Sequence, residues 1–148
     1  MTNASNTTTE LREWLSHHLT ARNHIRADVI EMTPQSGGWD YHLRTKTGEQ
    51  SYLIMPVIDV PAIKTKVSAE QHAVIITTNS TQSLQATING WEDLITFTKL
   101  AIFFVNPHAS YEKHWVLRPS AHESLIGRKN LASALQTLFS NIAVYQSP

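Results

Sequence analysis

Three side chains of the types that bind transition metals fall close together late in the sequence. His108, Glu112 and His114 lie in the segment NPHASYEKH, which we predict to be a loop between two strands. Imidazole nitrogens together with a carboxylate oxygen form a common ligand set for zinc. The spacing of these residues matches no established zinc-binding pattern, and histidines in loops are usually solvated. The segment therefore has two interpretations, a metal site and a solvated loop.

A run of hydroxyl and amide side chains begins where a predicted buried strand is followed by a helix. Residues 77–83 read TTNSTQS, with Asn79, Ser80 and Thr81 at the junction. In open α/β sheets ligands bind at such junctions, and the N–H groups that begin a helix attract anions. The same residue types are also common helix caps. The run indicates either a site for a small anion or nucleotide across Asn79–Ser83, or capping of the helix.

The composition limits the chemistry that the chain can perform. The absence of cysteine excludes disulfides, thiolate nucleophiles and cysteine-ligated metals. The sequence also lacks the glycine-rich loops of the common nucleotide-binding motifs. Because 12 basic residues balance 12 acidic ones, no overall positive field attracts nucleic acid. No apolar run is long enough to span a membrane, and the first residues do not resemble a signal peptide, so we predict a cytoplasmic protein without membrane contact.

Aromatic residues on two predicted strands are candidates for a binding surface. Trp39 and Tyr41 alternate with polar residues on one strand, and Trp115 lies on another. If exposed, these rings suit a protein interface, because aromatic residues dominate binding energetics there. They could instead stack on single-stranded nucleic acid with the help of nearby basic residues, which are Arg44, Lys46 and Arg118. Burial in the core is the third interpretation.

The elements that must position these candidates form one predicted domain, residues 8–148, after a disordered tail at residues 1–7. Thr7 and Glu10 have the spacing of a capping box, which predicts a first helix from there to about Arg22. Apolar and alternating runs predict strands and helices after it. The predicted strands cover residues 27–34, 39–46, 50–58, 72–79, 101–107 and 111–119. Helices are predicted at residues 80–100, with a kink or break at Asn89-Gly90, and after Asn130, while residues 59–71 form a connection with or without a helix.

This order predicts an α/β fold with a mixed sheet. An N-terminal helix precedes an antiparallel three-stranded meander. A strand, a helix, two further strands and a C-terminal helix follow. Over residues 8–105 the order resembles the restriction-endonuclease-like PD-(D/E)XK fold, and the segment GWDYHLRTKTGEQSYLIMPV resembles the active-site hairpin of that family.

The resemblance implies a nuclease site built on Mg²⁺ or Mn²⁺. In the family, an acidic residue begins the second core strand, and Asp40 has this position. A second acid and a lysine belong on the third strand, where this chain has Ile54, Met55 and Pro56. A single carboxylate binds Mg²⁺ weakly, and without the lysine the charge of the transition state is uncompensated. A working nuclease would therefore need migrated residues, for which the candidates are Glu49, Glu31, Lys64 and Lys66.

The sequence thus favours a non-catalytic binding protein with no cofactor. We expect it to act through protein–protein contact, either with another protein or with itself as a homo-oligomer, through a sheet edge or an exposed aromatic face. Nucleic acid is the less favoured partner. The alternatives are a divergent metal-dependent nuclease centred on Asp40 and a small-anion or nucleotide binder at Asn79–Ser83.

Overall fold

A computed structural model describes residues 3–146 of the chain. The helices are α1 (Asn3–Arg26), α2 (Val60–Lys66), α3 (Thr81–Asn89), α4 (Trp91–Leu94), α5 (Pro119–Leu125) and α6 (Leu131–Phe139). The strands are β1 (Val29–Ser36), β2 (Trp39–Thr45), β3 (Gly48–Ile54), β4 (Ala73–Thr78), β5 (Ala101–Val105) and β6 (His114–Leu117). No helix within these residues is both long and apolar enough to cross a bilayer. The cytoplasmic location stays a prediction.

The six strands form one mixed sheet in the order in which they occur in the chain. β1, β2 and β3 pair antiparallel, as the predicted meander requires. β4 is parallel to β3 and β5 is parallel to β4, because each connection crosses back over the sheet through helices. β6 then returns antiparallel to β5. The predicted α/β class and mixed sheet are confirmed.

Two hydrophobic clusters lie on opposite faces of the sheet. On one face, α1 is the only helix in the described chain that contributes to the cluster, through Leu11, Leu15 and Leu19. These leucines are four residues apart and so form one stripe along the helix. On the other face, the cluster receives side chains from α2, α3, α4 and α6. The two faces are therefore covered very unequally.

The first helix differs from its prediction at both ends. It begins at Asn3, so residues 3–7 of the predicted disordered tail are helical, while Met1 and Thr2 lie outside the described residues. Thr7 does not begin the helix; its hydroxyl lies 3.1 Å from the Tyr145 hydroxyl, a contact that no local pattern reveals. The helix ends at Arg26, because Ala27 takes a left-handed φ of 51°.

The connection at residues 59–71 contains a helix. Asp59 caps α2, accepting a hydrogen bond from the Ala62 N–H at 3.2 Å. The predicted break at Gly90 is confirmed, since α3 ends before it and α4 begins after it. A Cβ at Gly90 would overlap the Val60 side chain, so α2 packs directly on the break. A further helix, α5, is not predicted by the sequence pattern.

Candidate functional site

Asp40 lies at the start of β2, as predicted, but it is paired with protein groups. Its Oδ1 accepts a hydrogen bond from Arg12 Nη2 at 2.7 Å, and its Oδ2 accepts one from the Ile54 N–H at 2.7 Å. The carboxylate therefore joins α1 to β2 and β3. The guanidinium puts a positive charge beside the oxygens that a divalent cation would need, and the two like charges would repel each other.

Three of the other four candidates for a nuclease site contact partners away from Asp40. Glu31 pairs with Arg44 at 3.0 Å, and the register of β2 and β3 places Glu49 opposite Arg44. Lys64 pairs with Asp93 at 3.3 Å, and Lys66 lies over the Trp39 ring. Within residues 3–146, neither Lys64 nor Lys66 forms an ion pair with Asp40, and no group of three or more acidic or histidine side chains could hold a metal ion. The fold does not bring the predicted set together.

At the predicted anion site, Asn79–Ser83, the side chains of Asn79 and Ser80 bind groups inside the protein. Asn79 is fully buried; its amide donates to the carbonyls of Phe139 and Ala143, and its Oδ1 accepts from the Trp115 indole at 2.8 Å. The Ser80 hydroxyl caps α3 by accepting from the Ser83 N–H. Thr81 is exposed at the start of the helix. Capping of the helix is the interpretation that the structure confirms.

Two of the three predicted interface aromatics are in the core. Trp39 and Trp115 are each only 8% exposed, and Trp115 stacks on Phe104. Trp39 packs in the cluster on the face of the sheet opposite α1. The alternation of apolar and polar residues along β2 predicts instead that Trp39 lies on the same face as Tyr41 and Leu43, which contact the α1 cluster. Tyr41 is half-buried against the α1 cluster. The two tryptophans are thus not available as anchors for a partner or as platforms for nucleic-acid bases.

The predicted metal ligands do not converge. His108 pairs with Glu10 of α1, Glu112 is exposed, and the His114 ring stacks on Phe103. No group of three or more histidine and acidic side chains in the described part of the chain has a geometry that could hold a metal ion. The zinc prediction is therefore not supported by the arrangement of these side chains.

His114 instead belongs to a cluster of four rings that lies between α1 and the β5–β6 part of the sheet. Trp14 and His18 of α1 stack at 4.8 Å, and both rings contact Phe103 and His114. Burial lowers the pKa of His18 from 6.5 to about 4, with help from the positive charges of His114, Arg22 and Arg26. Burial also lowers the pKa of His114.

A groove that the sequence did not predict runs between the C-terminal half of α1 and the sheet. We call it the basic groove. It has a volume of about 420 Å³. Its walls are His18, Arg22, Arg26, Gln50, His72 and Arg118, and its floor is formed by Tyr52, Val74, Ala101 and Phe103. No acidic residue lines it within the described chain.

The polar groups of the basic groove are mainly hydrogen-bond donors. Arg22 is held by Asp28, with nitrogen–oxygen distances of 3.1 and 3.3 Å. Arg26 and Arg118 form no ion pair with any residue that the structure describes. The Gln50 Oε1 already accepts a hydrogen bond from the Tyr52 hydroxyl at 2.7 Å. Free guanidinium donors over an apolar floor suit a carboxylate or phosphate group.

The arginines of the basic groove contribute to the pKa shifts of two neighbouring groups, His72 and Tyr52. Burial lowers the pKa of His72, and the positive charges of Arg118, Lys99 and Arg22 lower it further. Burial raises the pKa of Tyr52, and the arginines of α1 oppose that increase. Burial makes the larger contribution to both pKa shifts, and the smaller contribution of the arginines has the sign that positive charge produces.

A second groove lies beside the N-terminal half of α1, and we call it the acidic groove. Its volume is about 650 Å³, and it shares His18 with the basic groove. Three glutamates line it, against a single lysine, Lys113. Of these, Glu10 is bound by Tyr145 and His108, while Glu13 and Glu112 form no ion pair among residues 3–146. One edge of α1 is thus acidic at one end and basic at the other.

No protein-family model matches the chain, and no match is found among curated proteins or solved structures.

Proposed function

We propose that this protein is a non-catalytic binding protein that takes an acidic segment of a partner protein into the basic groove. The observation that carries the proposal is the position of Arg26 and Arg118. They come from α1 and from the end of β6, they line the same groove, and neither has a carboxylate partner among the described residues. Carboxylate groups of a partner would supply the missing acceptors.

The surroundings of the groove favour a protein over a nucleic acid. A nucleic acid presents phosphates along its whole length, and its binding usually involves many basic contacts. Here the basic groove is short and continues into the acidic groove, whose glutamates would repel a polyphosphate. The burial of Trp39 and Trp115 also removes the predicted stacking platforms. An acidic peptide segment matches the size and the apolar floor of the groove better.

The proposal excludes hydrolysis at Asp40. The order of helices and strands over residues 8–105 supports the resemblance to the PD-(D/E)XK fold. The Arg12–Asp40 pair argues against its chemistry, because the guanidinium takes the position beside the carboxylate that a cation would need. We therefore propose that the fold serves as a scaffold and that its binding surface lies next to α1.

The test is a fluorescence anisotropy titration with a labelled oligoglutamate peptide at low salt. We expect the wild type to bind the peptide, and Arg26→Ala with Arg118→Ala together to weaken binding by about tenfold or more. Arg44→Ala is the matched control, since Arg44 is an exposed arginine on β2 and its removal should leave binding unchanged. Equal binding by the double variant and the wild type would overturn the proposal. So would tighter binding of an oligothymidylate of equal charge.

A parallel thermal-shift titration with Mn²⁺ and Mg²⁺ tests the nuclease alternative. A ligand that binds only the folded protein at a hundredfold excess over its dissociation constant stabilises it by about 2.7 kcal/mol. We expect no stabilisation of the wild type by either ion. Stabilisation that is lost in Asp40→Asn would show a carboxylate metal site and restore the nuclease alternative.

A further inference from the structure

We infer that the acidic segment of the partner also carries an aromatic side chain, which enters the basic groove and packs against His18 and Phe103. This inference rests on the proposed function, because it names a second chemical group on the segment that the arginines bind. It follows from a row of rings along α1 that stops at the groove, and from the apolar space that the groove leaves beside those rings.

One edge of α1 carries a row of four side chains beside β5. They are at positions 14, 18, 21 and 25, and spacings of four, three and four residues keep them on the same edge of the helix. Trp14 and His18 occupy the first two positions with stacked rings, whose centres are 4.8 Å apart. Both rings contact Phe103 of β5. The third position is Ala21, which lines the basic groove, so the row of rings stops where the groove begins.

The groove has room for one more ring. His18 and Phe103 line it and are only half-buried. Beside them, Ala21 on the helix wall and Ala101 on the floor contribute only methyl groups. The volume of about 420 Å³ lies within the range of about 300–1,000 Å³ that pockets for small molecules have. A side chain of the partner can therefore continue the row that Trp14 and His18 begin.

An aromatic side chain suits this space better than an aliphatic one. Stacked and edge-to-face contacts between rings are favourable beyond the area that they bury. Burial lowers the pKa of His18 to about 4, so near neutral pH its ring is uncharged and a second ring can cover it without desolvating a charge. Ile25, the fourth side chain of the row, is 85% exposed on the groove wall and offers a further apolar contact.

Arg26 and Arg118 determine what flanks the ring. The pairing of Leu117 with Ile102 places Arg118, the next residue, beside Ala101 at the start of β5. Arg26 lies on the α1 wall, so the two guanidinium groups come from different sides of the floor. Carboxylates on either side of the ring would each meet one guanidinium group. The inferred segment is therefore an aromatic residue between acidic residues.

The test is a fluorescence anisotropy titration at low salt with three labelled five-residue peptides. Each peptide has two glutamates on either side of a central tryptophan, leucine or serine. We expect the wild type to bind the tryptophan peptide at least about tenfold more tightly than the serine peptide, because the ring buries apolar surface. The wild type should also prefer the tryptophan peptide to the leucine peptide by about threefold or more, because of the contacts between rings.

Two variants of α1 locate the ring in the groove. Ala21→Phe supplies a ring from the chain itself and should remove the preference for tryptophan over serine. Thr20→Phe is the matched control, because it adds the same side chain to α1 at an exposed position outside the groove, and it should keep the wild-type preference. The serine peptide should bind the wild type and both variants within about threefold of one another, since the arginines are unchanged.

Three results would overturn this inference and leave the proposed function in place. In the first, the wild type binds the tryptophan and serine peptides equally. In the second, it binds the tryptophan and leucine peptides equally, so the partner's side chain need not be aromatic. In the third, the preference for tryptophan survives in Ala21→Phe, so the ring lies elsewhere. If the wild type binds none of the three peptides, the proposed function fails and this inference fails with it.

Discussion

His18 is a side chain whose protonation the fold opposes. It stacks on Trp14 along α1 and meets the edges of Phe103 and His114 from the sheet. Burial removes the water that would solvate an imidazolium, and nearby arginines add repulsion. The neutral ring is therefore the form that the folded state accommodates.

This burial predicts a loss of stability on acidification. In the unfolded chain His18 takes up a proton near pH 6.5, whereas in the folded protein it does so only near pH 4. As the pH falls through this interval, the unfolded state binds the proton first and the free energy of unfolding decreases. Burial also lowers the pKa values of His72 and His114, so these two residues add to the loss of stability on acidification.

Urea unfolding near neutral pH and near pH 5 measures this effect. We expect His18→Phe, which keeps an aromatic ring but cannot ionise, to lose less stability between the two pH values than the wild type. His24→Gln, at an exposed position on the same helix, should behave as the wild type does. Unchanged or increased wild-type stability near pH 5 would contradict the assignment.

For Asp40, the sequence predicts the position of the residue in the fold but not the partner that it binds. Its place at the start of the second strand was predicted and is confirmed. Its partner Arg12 is 28 positions away on a helix that lies across the sheet. No local pattern links the two residues, so the sequence identified the carboxylate but not the guanidinium that determines what it can bind.

At the scale of elements, Asn79 connects the end of β4 to the segment after α6. Its backbone carbonyl accepts from the Tyr145 N–H, and its side chain reaches the carbonyls of Phe139 and Ala143. The amide is buried, so water cannot replace it. One side chain thus holds the C-terminal segment against the sheet.

Asn79→Ala should therefore be among the most destabilising substitutions of a polar residue. It leaves the Trp115 indole and the buried Phe139 carbonyl without their partner, and each loss costs about 1–3 kcal/mol. We expect a decrease of about 3 kcal/mol or more in the free energy of unfolding. Asn89→Ala, on the exposed side of α3, should change it by less than about 0.5 kcal/mol. Similar costs for the two variants would contradict this account.

The strands were predictable because each is a short apolar or alternating run, and the sheet follows from their order. α5 was not predictable, because Pro119 is the only buried residue of that helix. A helix without a buried stripe shows no helical spacing of apolar residues in its sequence. The basic groove is not predicted by the sequence either, although Arg118 is among the basic residues near the predicted aromatic surface. Its walls and floor come from α1 and from four strands or their ends, and only the packing of α1 on the sheet brings them together.

At the scale of the whole molecule, two hydrophobic clusters share one sheet. Adjacent residues of β4 alternate between them, with Val74 and Ile76 facing α1 and Ala73 and Ile75 facing the other helices. Neither cluster can form without the strand backbone that supports the other. The two should therefore unfold together in one transition.

Matched truncations on the two faces test this coupling. Leu15 of α1 and Leu135 of α6 are both fully buried, so replacing either with alanine should cost about 2–5 kcal/mol. Urea unfolding followed by tryptophan fluorescence and by far-ultraviolet circular dichroism should still give coincident single transitions. Leu125→Ala is the control, because this side chain is 84% exposed. A second transition in Leu15→Ala alone would mean that α1 detaches independently of the sheet.

The position of α1 also has a consequence for how the chain is made. The helix is synthesised before the sheet on which it packs, and the strands beneath its leucines extend from β3 to the end of β5, at residue 105. At typical translation speeds of 5–20 residues per second, roughly 4–16 seconds pass between the synthesis of the end of α1 and that of the end of β5. During this time Leu11, Leu15 and Leu19 are exposed as a stripe on an isolated amphipathic helix. The ribosome-bound intermediate is therefore a stronger target for chaperones than the finished protein.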